Sequence, residues 1–567
     1  MQMKEIPSPD MLPVPLKMTG IGNSYLAIKA TPEAQAWFEQ GLNLLHDFWD
    51  YESARAFEQG IRVDPNCAMC YWGLYQALMM RSGTASAYSE QALANAVRLK
   101  KHAGKAGQLY IEAAEAGDEA KAATPGARPG ASKKIAILRQ LVKRYPADPE
   151  AKIFLAESLR DGYDDAGEPN KGTQESITLL EQVLKANPND SAANHYWIHA
   201  MEPGAHPERA LESAQKLASL APASGHMVHM PGHIYYRVGD YAQAEHWFAA
   251  STAVDENYIR SQHVDVDDDW NYIHNLMYAV ANLMEEGKLQ EAAALSNKLA
   301  GGRGQSAATL YIRSPRDGMA RLNEQLPVAL RTGDWPDVLQ LLDATQPDAK
   351  LPNLNFLAGQ LKEFAGGMQA VESVNIAAAQ EASEKLDADL WRMSQRLKDQ
   401  PEKTTETTAA PVMAPVMPDA LSGPLMENLS IMSLELRGSI LAARKNIPEA
   451  KALFTDAARQ EKELGYREPP AFIRPVGETE GFALLQAGDD AGAHKAYESA
   501  LEERPNSGFG LYGVARSSEA AGNVAQAQSE YEKFLDAWKN GDANLPEIAH
   551  SREFLANHKT QLAAASN

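Results

Sequence analysis

The residues best suited to chemistry crowd into one stretch, where nine of the fourteen histidines lie between His195 and His274. They fall in three blocks: HYWIHAMEP from His195, GHMVHMPGHIYYR from Gly225 and WNYIHN from Trp270. His195 and His199 are spaced i, i+4, as are His229 and His233, and His226 precedes His229 by a further turn. On a helix these offsets align the imidazoles along one face. Helical zinc sites use the same i, i+4 pairing, and imidazole also suits copper, iron and nickel. Packed helices lie about 8–10 Å apart, so pairs from adjacent helices can converge on one ion or on two. The nominated ligands are therefore His195, His199, His229 and His233, followed by His226 and His274. Asp265, Asp267, Asp268 and Asp269 precede His274 and offer further oxygens, or acceptors that orient the imidazoles. Three other readings compete: a neutral polar groove that hydrogen-bonds a ligand, a structural network, and a histidine-ligated haem. His206, His246 and His263 read as single packed or solvated residues.

Two further constellations carry weaker signals. In REPPAFIRPVGETEG, Arg467 and Arg474 can bind a carboxylate or phosphate. Glu468 and Glu478 can serve as acid or base, although charges near a helix start are commonly capping or solvated. Cys67 and Cys70 form a CxxC with no second pair and no βαβ context, so packing is the expected role. Pro231 lies within the expected helix and would bend it between His229 and His233. No phosphate-binding loop, dinucleotide fingerprint, nucleophile elbow or kinase signature is present.

The elements that position these residues follow from length and pattern. At 567 residues the chain exceeds one ordinary domain, unless its core grows along one axis as in a repeat array. No useful period-2 alternation occurs, so the expected fold class is all-α. The net charge of −21, with no basic stripe, argues against nucleic acid as a partner. No apolar run reaches the roughly 18 residues of a membrane span. The first twenty residues lack an apolar signal region, which leaves a cytoplasmic chain or one exported after leader removal undecided. Residues 1–30 are expected to be extended. The Pro/Thr-rich segment 401–424 cannot be continuous helix and reads as a linker or flap between arrays at 31–400 and 425–567.

A repeat underlies these arrays. With Gly232 at position 8, Tyr235 falls at 11, Gly239 at 15, Tyr241 at 17, Ala244 at 20 and Phe248 at 24. In the preceding unit Ala210, Ala214 and Pro222 hold 20, 24 and 32. Trp37, Gly41, Phe57 and Pro65 match an N-terminal unit, and Gly438, Ala450 and Phe454 another. Near the C-terminus Ala493, Tyr497, Ala500 and Pro505 match a further one. The pattern resembles the tetratricopeptide repeat of about 34 residues and covers most of the chain, in about nine or ten units with insertions.

The resemblance implies an α-solenoid of stacked helix pairs. In that family positions 2, 5, 9, 12 and 13 of the first helix line the concave groove. The register then puts His195 and His199 at 5 and 9, His226, His229 and His233 at 2, 5 and 9 of the next unit, and His274 at 2 of a third. It also implies a groove role for Tyr236 and Arg237 in positioning a substrate, and for Glu157 as an oxygen ligand. By the same register Glu478 falls at position 5 and Arg474 at position 1 of a C-terminal unit, which would face the histidines if the solenoid closed on itself. The HYWIHA and HMPGHIY blocks resemble those of a set of bacterial tetratricopeptide proteins. The expected function is a groove holding one or two transition-metal ions, with zinc, copper or iron as candidates, acting on a small molecule or peptide. The alternative is a non-catalytic scaffold for a peptide or protein partner. Members that clamp a peptide carboxylate use Lys and Asn at positions 5 and 9, where this chain has His.

Overall fold

The computed structural model describes residues 13–82, 87–123, 133–302, 315–345, 349–398 and 423–565. These residues form an all-α solenoid of 26 α-helices with a few short 3-10 turns. The one β feature among them is an isolated bridge between Tyr163 and Pro169. No helix among the described residues is long and apolar enough to cross a membrane.

Helices pair because a glycine and an aromatic ring recur at matched places. A Cβ on Gly41 would stand 2.8 Å from the Phe57 ring, on Gly232 2.4 Å from Phe248, on Gly438 2.9 Å from Phe454 and on Gly481 2.6 Å from Tyr497. Each glycine precedes its ring by the same interval, so the repeat read from the sequence is also a repeat of close approach between two helices. The aromatic fills the space that a side chain on the first helix would need.

Three first helices of consecutive pairs, Ser191–Met201, Gly225–Arg237 and Trp270–Glu285, pack in sequence with Leu211–Leu220 and Tyr241–Gln262 between them in the chain. Asp190 and Ser224 cap the first two by accepting from the backbone N–H groups of Ala193 and Met227. The second helix runs on through Pro231.

Residues 13–30 have no regular structure and lie along the helix Pro32–His46. Three carboxamides on that helix each grip the segment's backbone twice. Gln40 accepts from Met18 N–H and donates to Leu16 C=O. Asn43 does the same with Ser24, and Gln35 with Ile28 and Leu26. Cys67 and Cys70 are buried at the start of the helix Ala68–Ser82 and are paired as a disulfide.

Residues 401–422 of the expected linker lie outside the described residues, and Gly423 and Pro424 begin the helix Gly423–Ala443. One apolar core extends from Met319 to Ala483 and takes side chains from both sides of that segment. The C-terminal helices fold back onto the histidine helices. Arg331, fully buried, is held by Glu285 at 2.7 Å and Glu478 at 2.6 Å, with Ser507 at 3.2 Å. Trp538 Nε1 donates to Glu285 C=O at 2.8 Å. Truncating Arg331 would leave two carboxylates buried without their counter-charge. Arg331→Ala is expected to cost about 3–5 kcal/mol of stability, read from the shift in the urea midpoint.

Candidate metal centre

The three histidine helices bring six imidazoles into two groups. The ligand atoms of His195, His199 and His226 lie within 4.8 Å of one another, and so do those of His229, His233 and His274. All six residues are buried, the most open being His199 at 7 % exposure. Phe48 packs its ring against His195, His199 and His226, Trp270 against His226 and His274, and Tyr278 against His229 and His233.

The hydrogen bonds fix which nitrogen of each ring carries the proton. His195 Nδ1 meets the His46 C=O at 2.6 Å, and His199 Nδ1 meets Glu202 Oε1 at 2.7 Å. His226 Nδ1 meets Asn271 Oδ1 at 3.1 Å, and His229 Nδ1 meets Asn275 Oδ1 at 2.7 Å. His233 Nδ1 meets Glu202 Oε2 at 2.8 Å. A carbonyl and an ionised carboxylate only accept, so these Nδ1 atoms donate. The asparagines are equally settled. Asn271 Nδ2 donates to Asp255 Oδ2 at 2.8 Å and Asn275 Nδ2 to the Phe248 C=O at 2.9 Å, which leaves Oδ1 toward the imidazole.

The Nε2 atoms of these five rings therefore carry lone pairs, and they turn toward one another. His195 Nε2 and His226 Nε2 are 3.1 Å apart, and His229 Nε2 and His233 Nε2 are 2.5 Å apart. His199 Nε2 and His274 Nε2 have no hydrogen-bond partner. Acceptors facing acceptors in a buried site repel unless a cation lies between them. A structural network would instead alternate donors with acceptors.

Electrostatics disfavour the charged form of five of the six imidazoles. Burial first, and then the neighbouring histidines, hold His195, His226 and His229 well below the ordinary imidazole value. Burial lowers His233 too, against the pull of Glu202, and brings His274 down to about 3. Burial pushes the Glu202 carboxyl upward, but the fields and hydrogen bonds of His199 and His233 outweigh it and hold it well below the carboxylate range. Burial and then the charge of Glu202 raise Glu468 well above that range.

All six histidines nominated from the sequence come together in the structure, but not every companion. Glu157, expected as an oxygen ligand, pairs with Arg160 at 3.2 Å and stands outside the groups. The carboxylates that the structure brings in are Glu202 and Glu468, which group with His199. Glu468 Oε2 lies 3.7 Å from His274 Nε2 and 3.8 Å from His233 Nδ1, and its side chain is 26 % exposed. The C-terminal segment does therefore reach the histidines, through Glu468. Glu478 instead belongs to the buried Arg331 network, and the Arg474 guanidinium lies 5.9 Å from the Trp335 ring centroid. Arg237 donates to the Glu202 C=O at 2.9 Å and the Gly204 C=O at 3.1 Å, so it holds the turn that carries Glu202. Tyr236 is buried and packs on Tyr241 and Tyr278. Of the acidic run, Asp265 is exposed, Asp269 is buried ahead of the third histidine helix, and the side chain of Asp267 lies outside the described residues. Glu202 sits one turn after His199, and Asn271 and Asn275 flank His274. All three were visible in the blocks, Glu202 and Asn271 three residues from a histidine and Asn275 next to one.

No protein-family model matches the chain, and no curated protein matches it. Solved structures share a helical architecture at low identity. The human IFIT1 dimer with m7Gppp-AAAA is 10 % identical over 88 % of this chain and 94 % of its own, with a TM-score of 0.35. Yeast Tom70 is 11 % identical over 94 % and 96 %, with a TM-score of 0.27. The APC/C hetero-tetramer Cut9-Hcn1 is 12 % identical over 82 % and 86 %, with a TM-score of 0.26.

Five depressed imidazoles give a pH signature. The unfolded chain protonates them near pH 6.5, whereas the folded metal-free chain takes up those protons only at much lower pH. The contribution of these histidines is thus complete above about pH 6.5 and falls by up to about 1.4 kcal/mol per histidine per pH unit below it. For His274 the loss continues to about pH 3. Urea midpoints of chelator-treated protein, taken stepwise downward from pH 7.5, should fall more steeply than those of a His274→Asn variant.

Proposed function

We propose that this protein is a transition-metal-binding helical solenoid. It holds one ion on His195, His199 and His226 and a second on His229, His233 and His274. The observation that supports this most directly is the five Nδ1 atoms engaged by acceptors, which commits the Nε2 lone pairs to the inside. Neutral, pre-oriented imidazoles need lose no proton to bind, and the carboxylate and amide acceptors behind them are the partners that metal-ligating histidines use. An all-imidazole donor set with no thiolate suits zinc, copper or iron. Glu202 links the two sites, with one oxygen on His199 and the other on His233.

We extend the reading to catalysis on a small molecule or peptide. Three imidazoles leave coordination positions open, and a metal there supplies a Lewis acid for water or a substrate oxygen. The chain's own contribution is a proton held between Glu468 and Glu202 at the most open edge of the site. Phe48, Trp270 and Tyr278 keep water from the imidazoles.

One observation favours a second reading as a peptide-binding scaffold. Gln35, Gln40 and Asn43 bind an extended segment by its backbone, a mode that tolerates many sequences. Elemental analysis of untagged protein, purified without chelator, separates the two readings. The expected result is one to two equivalents of a transition metal per chain, falling by at least half in His229→Ala/His233→Ala. No metal in either sample, even after reconstitution with zinc, copper and iron, moves the assignment to the scaffold.

A further inference from the structure

A cavity of about 10 Å³ shares His226 with the first imidazole group and is otherwise lined by residues outside both groups. Three carboxylates from separate elements line it. Asp47 follows the helix Pro32–His46, Asp255 belongs to Tyr241–Gln262 and Asp269 precedes Trp270–Glu285. Each is 1 % exposed. Neither Asp47 oxygen has a well-formed hydrogen bond, and the neighbouring Ser224 hydroxyl eases its charge. Asp269 Oδ2 has none either. Asp50 and Glu52 add negative charge close to Asp269, and Arg55 is paired with Glu52. Burial pushes Asp47 upward, burial and Asp269 raise Asp255, and Asp269 stands at about 7. The region thus gathers buried carboxylates in excess of buried cations.

We propose that this cavity is an oxygen-donor site for a hard divalent cation of the calcium class, separate from the imidazole centre. Unengaged carboxylate oxygens aimed into an enclosed space are what such a cation takes, whereas the imidazole metals take nitrogen. The cavity is about the size of one water-sized sphere. The three carboxylates are not among the groups whose donor atoms all close to within 4.8 Å. Calcium tolerates longer and less regular contacts than magnesium, which demands near-ideal octahedral geometry. The site is wired to the first triad, because Asp255 accepts from Asn271, and Asn271 accepts from His226. A cation that fixes Asp255 fixes the amide that orients His226.

Trp49 and Trp270 also line the cavity, so terbium, a luminescent stand-in for calcium, should be sensitised by tryptophan excitation. The test uses full-length chain stripped of transition metals. The expected result is saturable emission that calcium reverses, with affinity at least about tenfold weaker in Asp47→Asn and in Asp255→Asn. The emission should persist in His229→Ala/His233→Ala, so a failure here is distinguishable from a failure of the imidazole centre. Circular dichroism confirms that each variant is folded. Absent emission in the wild type, emission that calcium does not reverse, or equal affinity in wild type and a folded Asp variant would overturn the site and leave a buried water between protonated carboxyls. The calcium competition in wild type decides the matter even if both Asp variants fail to fold.

Discussion

The structure turns on the direction of five imidazole protons. Each Nδ1–H points outward to an acceptor that cannot reverse its role: a backbone carbonyl, a carboxylate, or an amide oxygen whose own nitrogen is engaged elsewhere. Neutral imidazole has one donor and one acceptor, so fixing the first fixes the second. Lone pairs then collect in a buried space walled by Phe48, Trp270 and Tyr278. Such an arrangement is costly for an isolated chain and favourable around a cation.

The repeat explains how the sequence affords that arrangement. Stacked units present the same register positions side by side, so a histidine stripe on one helix meets its counterpart on the next. Glycine against an aromatic ring brings the two helices of a pair close, as Gly232 does with Phe248, and that ring in turn packs against His229 at 5.0 Å. The orienting groups come from the neighbouring helices. Asn271 and Asn275 reach across from the third histidine helix to the second, and Glu202 from the end of the first reaches both its own His199 and His233. No single unit contains a complete ligand set with its supports.

Much of this was legible in the residues. The helix class follows from spacing, and the convergence of the six histidines from their spacing together with the register that the tetratricopeptide resemblance implies, because a solenoid's contacts are mostly between neighbours in sequence. Long-range closure was the least legible part. Glu157 has the right register position but turns to Arg160, one turn along its own helix. Glu468 has no register signal at the histidines and arrives because the C-terminal helices fold back, through Arg331 and Trp538, onto the third histidine helix. Glu478 and Arg474 lie in the same stretch of sequence as Glu468, yet they are absorbed by contacts that hold this closure together. Proximity in sequence to one site residue carried no information about the others.

The closure also joins distant parts of the chain at the histidine groups. The helices Ser191–Met201, Gly225–Arg237 and Trp270–Glu285 supply the imidazoles, while the segment after the helix Ile447–Glu463 supplies Glu468. Glu468 stands beside His233 and His274 only in the closed chain, so the contacts made by Arg331 and Trp538 also position it. Buried Glu285 stands at the meeting point. It pairs with Arg331, accepts from Ser507, and belongs to the same helix that carries His274, Asn271 and Asn275. The C-terminal junction and the groups that orient His226 and His229 are thus carried on one helix, with no loop between them.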